Sequence, residues 1–339
     1  TYGHESLANV SSLLTYSVSG NTYGDEESDI FSLSAEVTKT SPVGEYNIVG
    51  SFEGTPKGYN YAVTWNGQST GIGEWGVFTV SPATLTVATN ANSVVYGNAV
   101  TDGYFTVGIS GFVNGETREG LVQSGELDES GLSFGDFGGY TAGAAAGSSF
   151  DVLPAGLSAK NYSFSYVPGT LTVVQRELTV QIGEVAAMTY GSSDVEETYN
   201  SIVGNPLSHV TLSSANGSGT AVFEGDRVFS LSVVTAAGAA PQGGFDAYTS
   251  AGTYYVFGSA DGEDAANYTV TFKNAQGGEI EAAADGTPFV INRASIEAAV
   301  EEIEVTYTGV AFDIYETAES KIHVTLANAD ENEWSIAFY

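Results

Sequence analysis

The residues best equipped for chemistry in this chain are a glycine-flanked serine, three histidines and an excess of carboxylates. Gly131-Leu132-Ser133-Phe134-Gly135 matches the G-x-S-x-G pattern, in which an apolar strand lifts a nucleophilic serine onto a strained turn entering a helix. GELDES precedes this stretch and DFGGYTAG follows it, so neither strand nor helix is predicted and a glycine-rich loop is the expectation. Asp136-Phe137-Gly138 spells the metal-binding triplet of kinases, without the catalytic-loop or glycine-loop segments that phosphoryl transfer needs. His4, His209 and His323 stand more than 100 residues apart, which gives no spacing for a zinc site or a His-dependent triad.

The carboxylates outnumber everything else that titrates: 41 Asp+Glu face 9 Lys+Arg, a formal net charge of −32. They cluster at Asp25-Glu26-Glu27, Glu196-Glu197, Glu301-Glu302-Glu304 and Asp330-Glu331. None of these runs has the D-x-D-x-D-G spacing of a dedicated calcium loop, so solvated charge is the expectation and structural calcium is the one metal left open. Paired carboxylates could serve a glycosidase, but no acid pair stands out as a single-copy site. Lys160 and Lys273 lie near Asn-Tyr pairs, where surface stalks place Lys–Asn crosslinks, yet their flanks carry no specific signal. Asn9, Asn161, Asn216 and Asn267 open N-x-S/T sequons. Zero Cys removes disulfides, thiolate metal sites and thiol nucleophiles. The expectation is therefore a non-enzyme: no catalytic, cofactor-binding or metal-binding residue, and no cofactor.

Composition narrows the partners. Clustered Lys and Arg are what a protein uses to release counterions from DNA or RNA, and this chain lacks them, so no nucleic acid is expected. An anionic membrane surface is disfavoured for the same reason. No apolar run reaches the ~18 residues that span a bilayer, so no membrane insertion is expected of this segment. Hydrophobic residues make up 42% of the chain, with 20 Tyr and 17 Phe, too many for a disordered acidic tail.

The elements that carry these residues read as strands, and they repeat. Tyr-Gly pairs occur at Tyr2-Gly3, Tyr96-Gly97 and Tyr190-Gly191, spaced by 94 residues each, with a degraded version at Tyr307-Thr308-Gly309. Asn-Tyr opens alternating runs at Asn60-Tyr61, Asn161-Tyr162 and Asn267-Tyr268, the period-2 pattern of a half-buried strand. A glycine leads an aromatic before each of them: Gly44 with Tyr46, Gly147 with Phe150, Gly252 with Tyr254. That glycine lies 16, 14 and 15 residues before the Asn-Tyr pair, whereas 41, 50 and 61 residues separate it from the Tyr-Gly glycine. Length variation is thus confined to mid-repeat loops. At the junctions FTVSPATLTV, LTVVQRELTV and FVINRASIEA, one strand closes a repeat and another opens the next across an expected linker of three or four residues. Short helices are expected after Gly24 and after Asn114, where acids precede brief apolar patterns. The stretch ASIEAAVEEIEV from Ala294 aligns with the opening strands and is expected to be strand.

GISGFVNGE from Gly108 to Glu116, the Tyr-Gly pairs, the glycine–aromatic step, NYSFSYVPGTLTV from Asn161 to Val173 and the SPATLTV junction together resemble the MBG domain of YGX type. The resemblance implies tandem extracellular modules of a large bacterial surface or adhesin-like protein, and it implies no catalytic residue. The fold class expected is mainly β: tandem small β modules, Ig-like β-sandwich or β-grasp-like, with at most one short helix each, in an elongated array. The boundaries expected are 1–82 (lacking its first strand), 83–175, 176–292 with an insertion, and 293–339 as the start of an incomplete fourth repeat. The chain reads as a piece of something longer. The function expected is a structural stalk or spacer at the extracellular cell surface, whose partners are neighbouring repeats of the same or another chain. Two alternatives stand beside it: an adhesion module for a host glycan or protein, and a subunit of a filament or surface layer assembled by strand exchange.

Overall fold

The computed structural model describes residues 1–20, 23–51, 55–62, 64–65, 68–69, 73–300 and 322–326. The chain is mainly β, arranged as several small sheets with few short helices. It divides into two compact units. The first holds Thr1–Val94, Ala99–Thr141 and Ser148–Thr172; the second holds Val95–Asn98, Ala142–Gly147 and Val173 onward.

In unit 1 the strand Ala83–Thr89 is the centre of a three-stranded sheet, parallel to Tyr162–Val167 and antiparallel to Val107–Ser110. Its burial alternates strictly, with Ala83, Leu85, Val87 and Thr89 inward and the residues between them facing outward or half-exposed. That is the period-2 geometry of a pleated strand with one face on a core. The core gathers Leu7, Val10, Val37, Val80, Ala83, Leu85, Leu121, Leu127 and the rings of Tyr2 and Tyr162. A second sheet joins Ser149–Val152 to Gly169–Val174 and then to Asn92–Val95, all within unit 1 but for the strand-end residues Val173, Val174 and Val95. A third, Ser32–Ala35 with Gly44–Ser51 and Gly73–Val80, is antiparallel throughout.

Unit 2 follows the same plan. Arg176–Ile182 is the central strand, parallel to Tyr268–Lys273 and antiparallel to Val210–Ser213. The four-stranded sheet runs Met188–Thr189, Thr287–Asn292, Gly252–Ser259, Ser230–Val234. Its core gathers Ile182, Val195, Ile202, Leu231, Val233, Phe245, Val256, Phe289 and Ile291. In both units the central strand pairs in parallel with the Asn-Tyr strand about eighty or more residues downstream, a crossover that only a long connection allows.

Helix is scarce. α1 spans Glu27–Ile30 and α2 spans Arg118–Ser124, within the two stretches whose acids precede an apolar pattern. Thr117 caps α2 by accepting from Gly120 N, and Gly125 ends it at φ 72°, a left-handed stop that glycine takes without strain. α3, Asp194–Gly204, has no counterpart in the sequence reading, where Glu196-Glu197 stood out only as an acid cluster. Val195 and Ile202, seven residues apart, bury on one face while Asp194, Glu196 and Glu197 occupy the first turn, the favourable end for negative charge. The stretch from Ala294 contains a strand, Ile296–Val300, paired with Ile322–Leu326. The expected fourth Tyr-Gly version and the remainder of the segment 293–339 lie outside the described residues. The linkers are tighter than three or four residues at the first two junctions. Strands end at Val80 and restart at Ala83, then end at Val174 and restart at Arg176.

Candidate functional site

The sequence markers converge on one construction that occurs twice, once inside each compact unit. In unit 1, the Tyr2 hydroxyl donates to Glu116 Oε1 at 2.5 Å and the Tyr162 hydroxyl donates to Oε2 of the same carboxylate. The two rings meet edge to face, with centroids 5.6 Å apart. Val113 N donates to the Tyr162 oxygen at 3.1 Å. In unit 2, the Tyr268 hydroxyl donates to Asp226 Oδ2 at 2.6 Å, and the same carboxylate acts electrostatically on the Tyr96 phenol. The rings are again edge to face at 5.6 Å, and Phe223 N donates to the Tyr268 oxygen at 2.9 Å. Each clasp therefore brings together the tyrosine of one Tyr-Gly pair, the tyrosine of the second Asn-Tyr pair downstream of it, and one acid.

The backbone explains why these residue types recur. Tyr2 N donates to Ser81 O and Gly3 N to Lys39 O; Tyr96 N donates to Val174 O and Gly97 N to Ala142 O. The Tyr-Gly pair is so pinned as a rigid hook. The glycine takes φ 71° in Gly3 and 80° in Gly97. A Cβ there would lie 2.2 Å from Val113 Cγ2 in the first case and 3.0 Å from the Phe223 ring in the second. Both the left-handed backbone and the close approach demand glycine. Asparagine before the second tyrosine is a lock. Asn161 Oδ1 accepts from Val43 N at 3.0 Å, and Asn267 Oδ1 accepts from Ala146 N at 2.9 Å. Val43 and Ala146 each precede the glycine of the glycine–aromatic step, so that third marker belongs to the same device.

The acids arrive on a two-residue turn with both central residues left-handed. Asn114 (φ 56°) and Gly115 (φ 73°) deliver Glu116; Glu224 (φ 33°) and Gly225 (φ 88°) deliver Asp226. Glu116 N closes the first turn on Val113 O, and Asp226 N closes the second on Phe223 O. Turns of this mirror-image kind favour Asn-Gly and tolerate few other pairs. Neither acid stood out in the sequence. The available signal was x-Gly-acid, as in VNGE and FEGD, hidden among 41 carboxylates.

Electrostatics favours neutral phenols. Burial, and then hydrogen bonding to Glu116, pushes the Tyr162 hydroxyl pKa well above its ordinary value. Burial and then Asp226 do the same to Tyr268 and push Tyr96 up to about 12. A phenol held this firmly in its protonated form is a donor to a fixed carboxylate, which suits a permanent latch. A hydrogen bond to a charged group contributes about 1.5–3 kcal/mol, and an edge-to-face ring pair adds about 0.5–1.5 kcal/mol.

Unit 2 has one further clamp. Arg176, 1% exposed, begins the central strand and is among the largest fully buried side chains. Its guanidinium donates to Tyr96 O, Ala221 O, Ser218 O and Thr220 O, so its charge is met by carbonyl dipoles on both sides of the clasp. Gln175, the single linker residue, donates to Ala266 O and accepts from Thr269 Oγ1, bracketing Asn267-Tyr268.

The other candidates disperse. Ser133 forms an isolated bridge with Ala155, and Gly131 crosses Gly156 so closely that a Cβ would lie 2.5 Å from its carbonyl oxygen. Gly131 thus serves backbone packing and Gly135 a left-handed turn at φ 60°, and no strand delivers the serine to a helix. Gly138 of the Asp136-Phe137-Gly138 triplet abuts the Asp151 carbonyl in the same way. His4 accepts from Ser6 N, and His209 bonds Ser201 Oγ at 2.8 Å; no other histidine joins them. The His323 side chain and the acids Glu301, Glu302, Glu304, Asp330 and Glu331 lie outside the described residues. Among the described residues, no group of three or more His, Asp or Glu could hold a metal ion. No helix of the described residues is long and apolar enough to cross a membrane. Asn161 of one sequon is 8% exposed, with its Oδ1 held in the lock.

No curated protein matches the chain. Residues 85–172, which contain the Tyr96-Gly97 hook, the Glu116 turn and the Asn161-Tyr162 strand, match the family model described as MBG domain (YGX type).

Proposed function

We propose that the chain is a non-enzymatic structural stalk or spacer of a bacterial cell-surface, adhesin-like protein, built of tandem MBG-type modules in an elongated array. The observation that carries this reading is the twice-built clasp: the chain spends its most specific residues on joining one repeat to the next. A buried tyrosine pair, a shared carboxylate, an asparagine lock and linkers of one or two residues restrict bending at a joint. The sparse Lys and Arg fit the same role, since an acidic surface keeps an extended protein dissolved and self-repelling. The family matched by residues 85–172 supports a surface-associated module.

Small-angle scattering tests the proposal. The full chain is expected to scatter as one elongated particle of narrow size distribution. The double variant Glu116→Ala, Asp226→Ala is expected to keep its strand signal by circular dichroism and to broaden in size as the joints loosen. A compact particle, or a specific glycan or protein ligand captured by the intact chain, favours an adhesion module instead.

A further inference from the structure

The clasp of unit 1 places two phenols where they can react with each other. Tyr2 and Tyr162 donate to the two oxygens of one carboxylate, Glu116 Oε1 and Oε2. Their hydroxyls, and the ring carbons ortho to them, therefore converge at one end of a ring pair whose centroids are 5.6 Å apart. Both residues are buried, 4% and 5% exposed. Electron transfer does not need contact with a ring, so this burial shuts out solutes that would quench a radical without preventing oxidation. Glu116 is a base already within hydrogen-bond reach of each phenolic proton, the first requirement of base-assisted proton removal. Burial, and then the bond to Glu116, raises the pKa of both phenols, so each proton stays in place until an electron is withdrawn as well.

Competing reactions have little to work with. Sulfur is a common site of oxidative damage, and this chain has no Cys and one Met, the buried Met188 of unit 2. Coupling between copies through an exposed tyrosine such as Tyr248 is opposed by the net charge of −32 that each copy carries.

We infer that Tyr2 and Tyr162 are a site of oxidative crosslinking, joined by a dityrosine bond that closes the unit 1 clasp covalently when the chain meets a peroxide-driven one-electron oxidant. Each phenol gives one electron to the oxidant and its proton, through the Glu116 carboxylate, to solvent. Two phenoxyl radicals remain. A phenoxyl oxygen no longer donates to Glu116, which frees a ring to turn from edge-to-face towards its partner. The unpaired electrons at two ortho carbons pair as a carbon–carbon bond, and the hydrogens displaced there move to the oxygens and restore both phenols. One hydrogen peroxide takes up the two electrons and two protons and becomes two waters. The chain loses two hydrogen atoms and nothing else. The inference rests on the clasp geometry and does not depend on the stalk reading.

Dilute native chain treated with hydrogen peroxide and a small haem peptide, then mapped by tryptic peptide mass spectrometry, tests it. The expected product is a monomer on a denaturing gel, lighter by two hydrogens, that shows dityrosine fluorescence. The peptide carrying Tyr2 should be joined to the peptide carrying Tyr162, with fragment sequencing placing the bond at those two residues. Tyr162→Phe should abolish this link. Glu116→Gln, which keeps the shape and removes the proton acceptor, should slow it by on the order of 10²-fold or more, the scale of base-assisted proton transfer. Thermal melts establish that both variants fold, and the wild-type peptide map decides the question if either does not. A wild-type chain whose other tyrosines are oxidised while Tyr2 and Tyr162 stay unlinked overturns the proposal and leaves the stalk reading untouched. So does a link that forms as fast in Glu116→Gln, or one that joins two chains.

Discussion

One carboxylate with two phenols is an unusual economy: Glu116 accepts from Tyr2 and Tyr162 at once, while Asp226 accepts from Tyr268, whose ring meets that of Tyr96 edge to face. Replacing Glu116 with Gln keeps the shape and removes the charge, and chemical denaturation should show a loss of about 1.5–3 kcal/mol, the value of a charge-assisted bond. Gly97→Ala combines a left-handed φ of 80° with contact to Phe223 and to Arg176, so a loss of about 1–3 kcal/mol is expected in the same measurement. The phenols also set an alkaline limit. Tyr96 ionises near 10 when unfolded and only near 12 when folded, so its contribution is complete below about pH 10 and falls as pH rises towards 12. A titration of unfolding free energy should stay flat up to that point and then decline, and Tyr96→Phe should flatten the decline. The sequence displayed both tyrosines and both glycines, and local geometry accounted for them as turn and strand entry. Their pairing was illegible because Glu116 stands 114 residues after Tyr2 and 46 before Tyr162, and Asp226 stands 42 before Tyr268, each on a turn defined by φ angles more than by letters.

Among elements, the strands were the readable part, since inward Leu85, Val87, Leu178 and Val180 alternate with outward polar residues. α2 was legible for a similar reason: acids, a cap and an apolar step follow one another. Thr117→Ala removes the cap bond to Gly120 N and should cost ~1 kcal/mol, seen as a lower melting temperature. α3 escaped because only Val195 and Ile202 of its residues are fully buried, too few to mark a helical period. The strand Gly252–Ser259 carries a glycine whose reason appears only in three dimensions. A Cβ at Gly258 would lie 2.2 Å from the Phe272 ring, so Gly258→Ala should displace that ring and weaken the contact between the two sheets of unit 2. Near-ultraviolet circular dichroism, which reports aromatic packing, should change while the far-ultraviolet spectrum persists.

At the scale of the whole molecule, charge and connectivity dominate. With nine Lys+Arg against 41 Asp+Glu, folding compresses like charges, so added salt should raise the melting temperature progressively. A melting temperature independent of salt would show that the carboxylates are already too far apart to repel. Trypsin has few targets, and Arg176, 1% exposed, should be the last of them cut in the native protein. The compact units do not coincide with the sequence period. Val95–Asn98 and Ala142–Gly147, which include the hook at Tyr96-Gly97 and the amide of Ala146, belong to unit 2 although their neighbours on both sides belong to unit 1. Heredity gives that offset a consequence. A gene that lengthens by copying such a period in phase needs no newly evolved interface, because every inserted copy arrives already able to grip its successor and to be gripped by its predecessor.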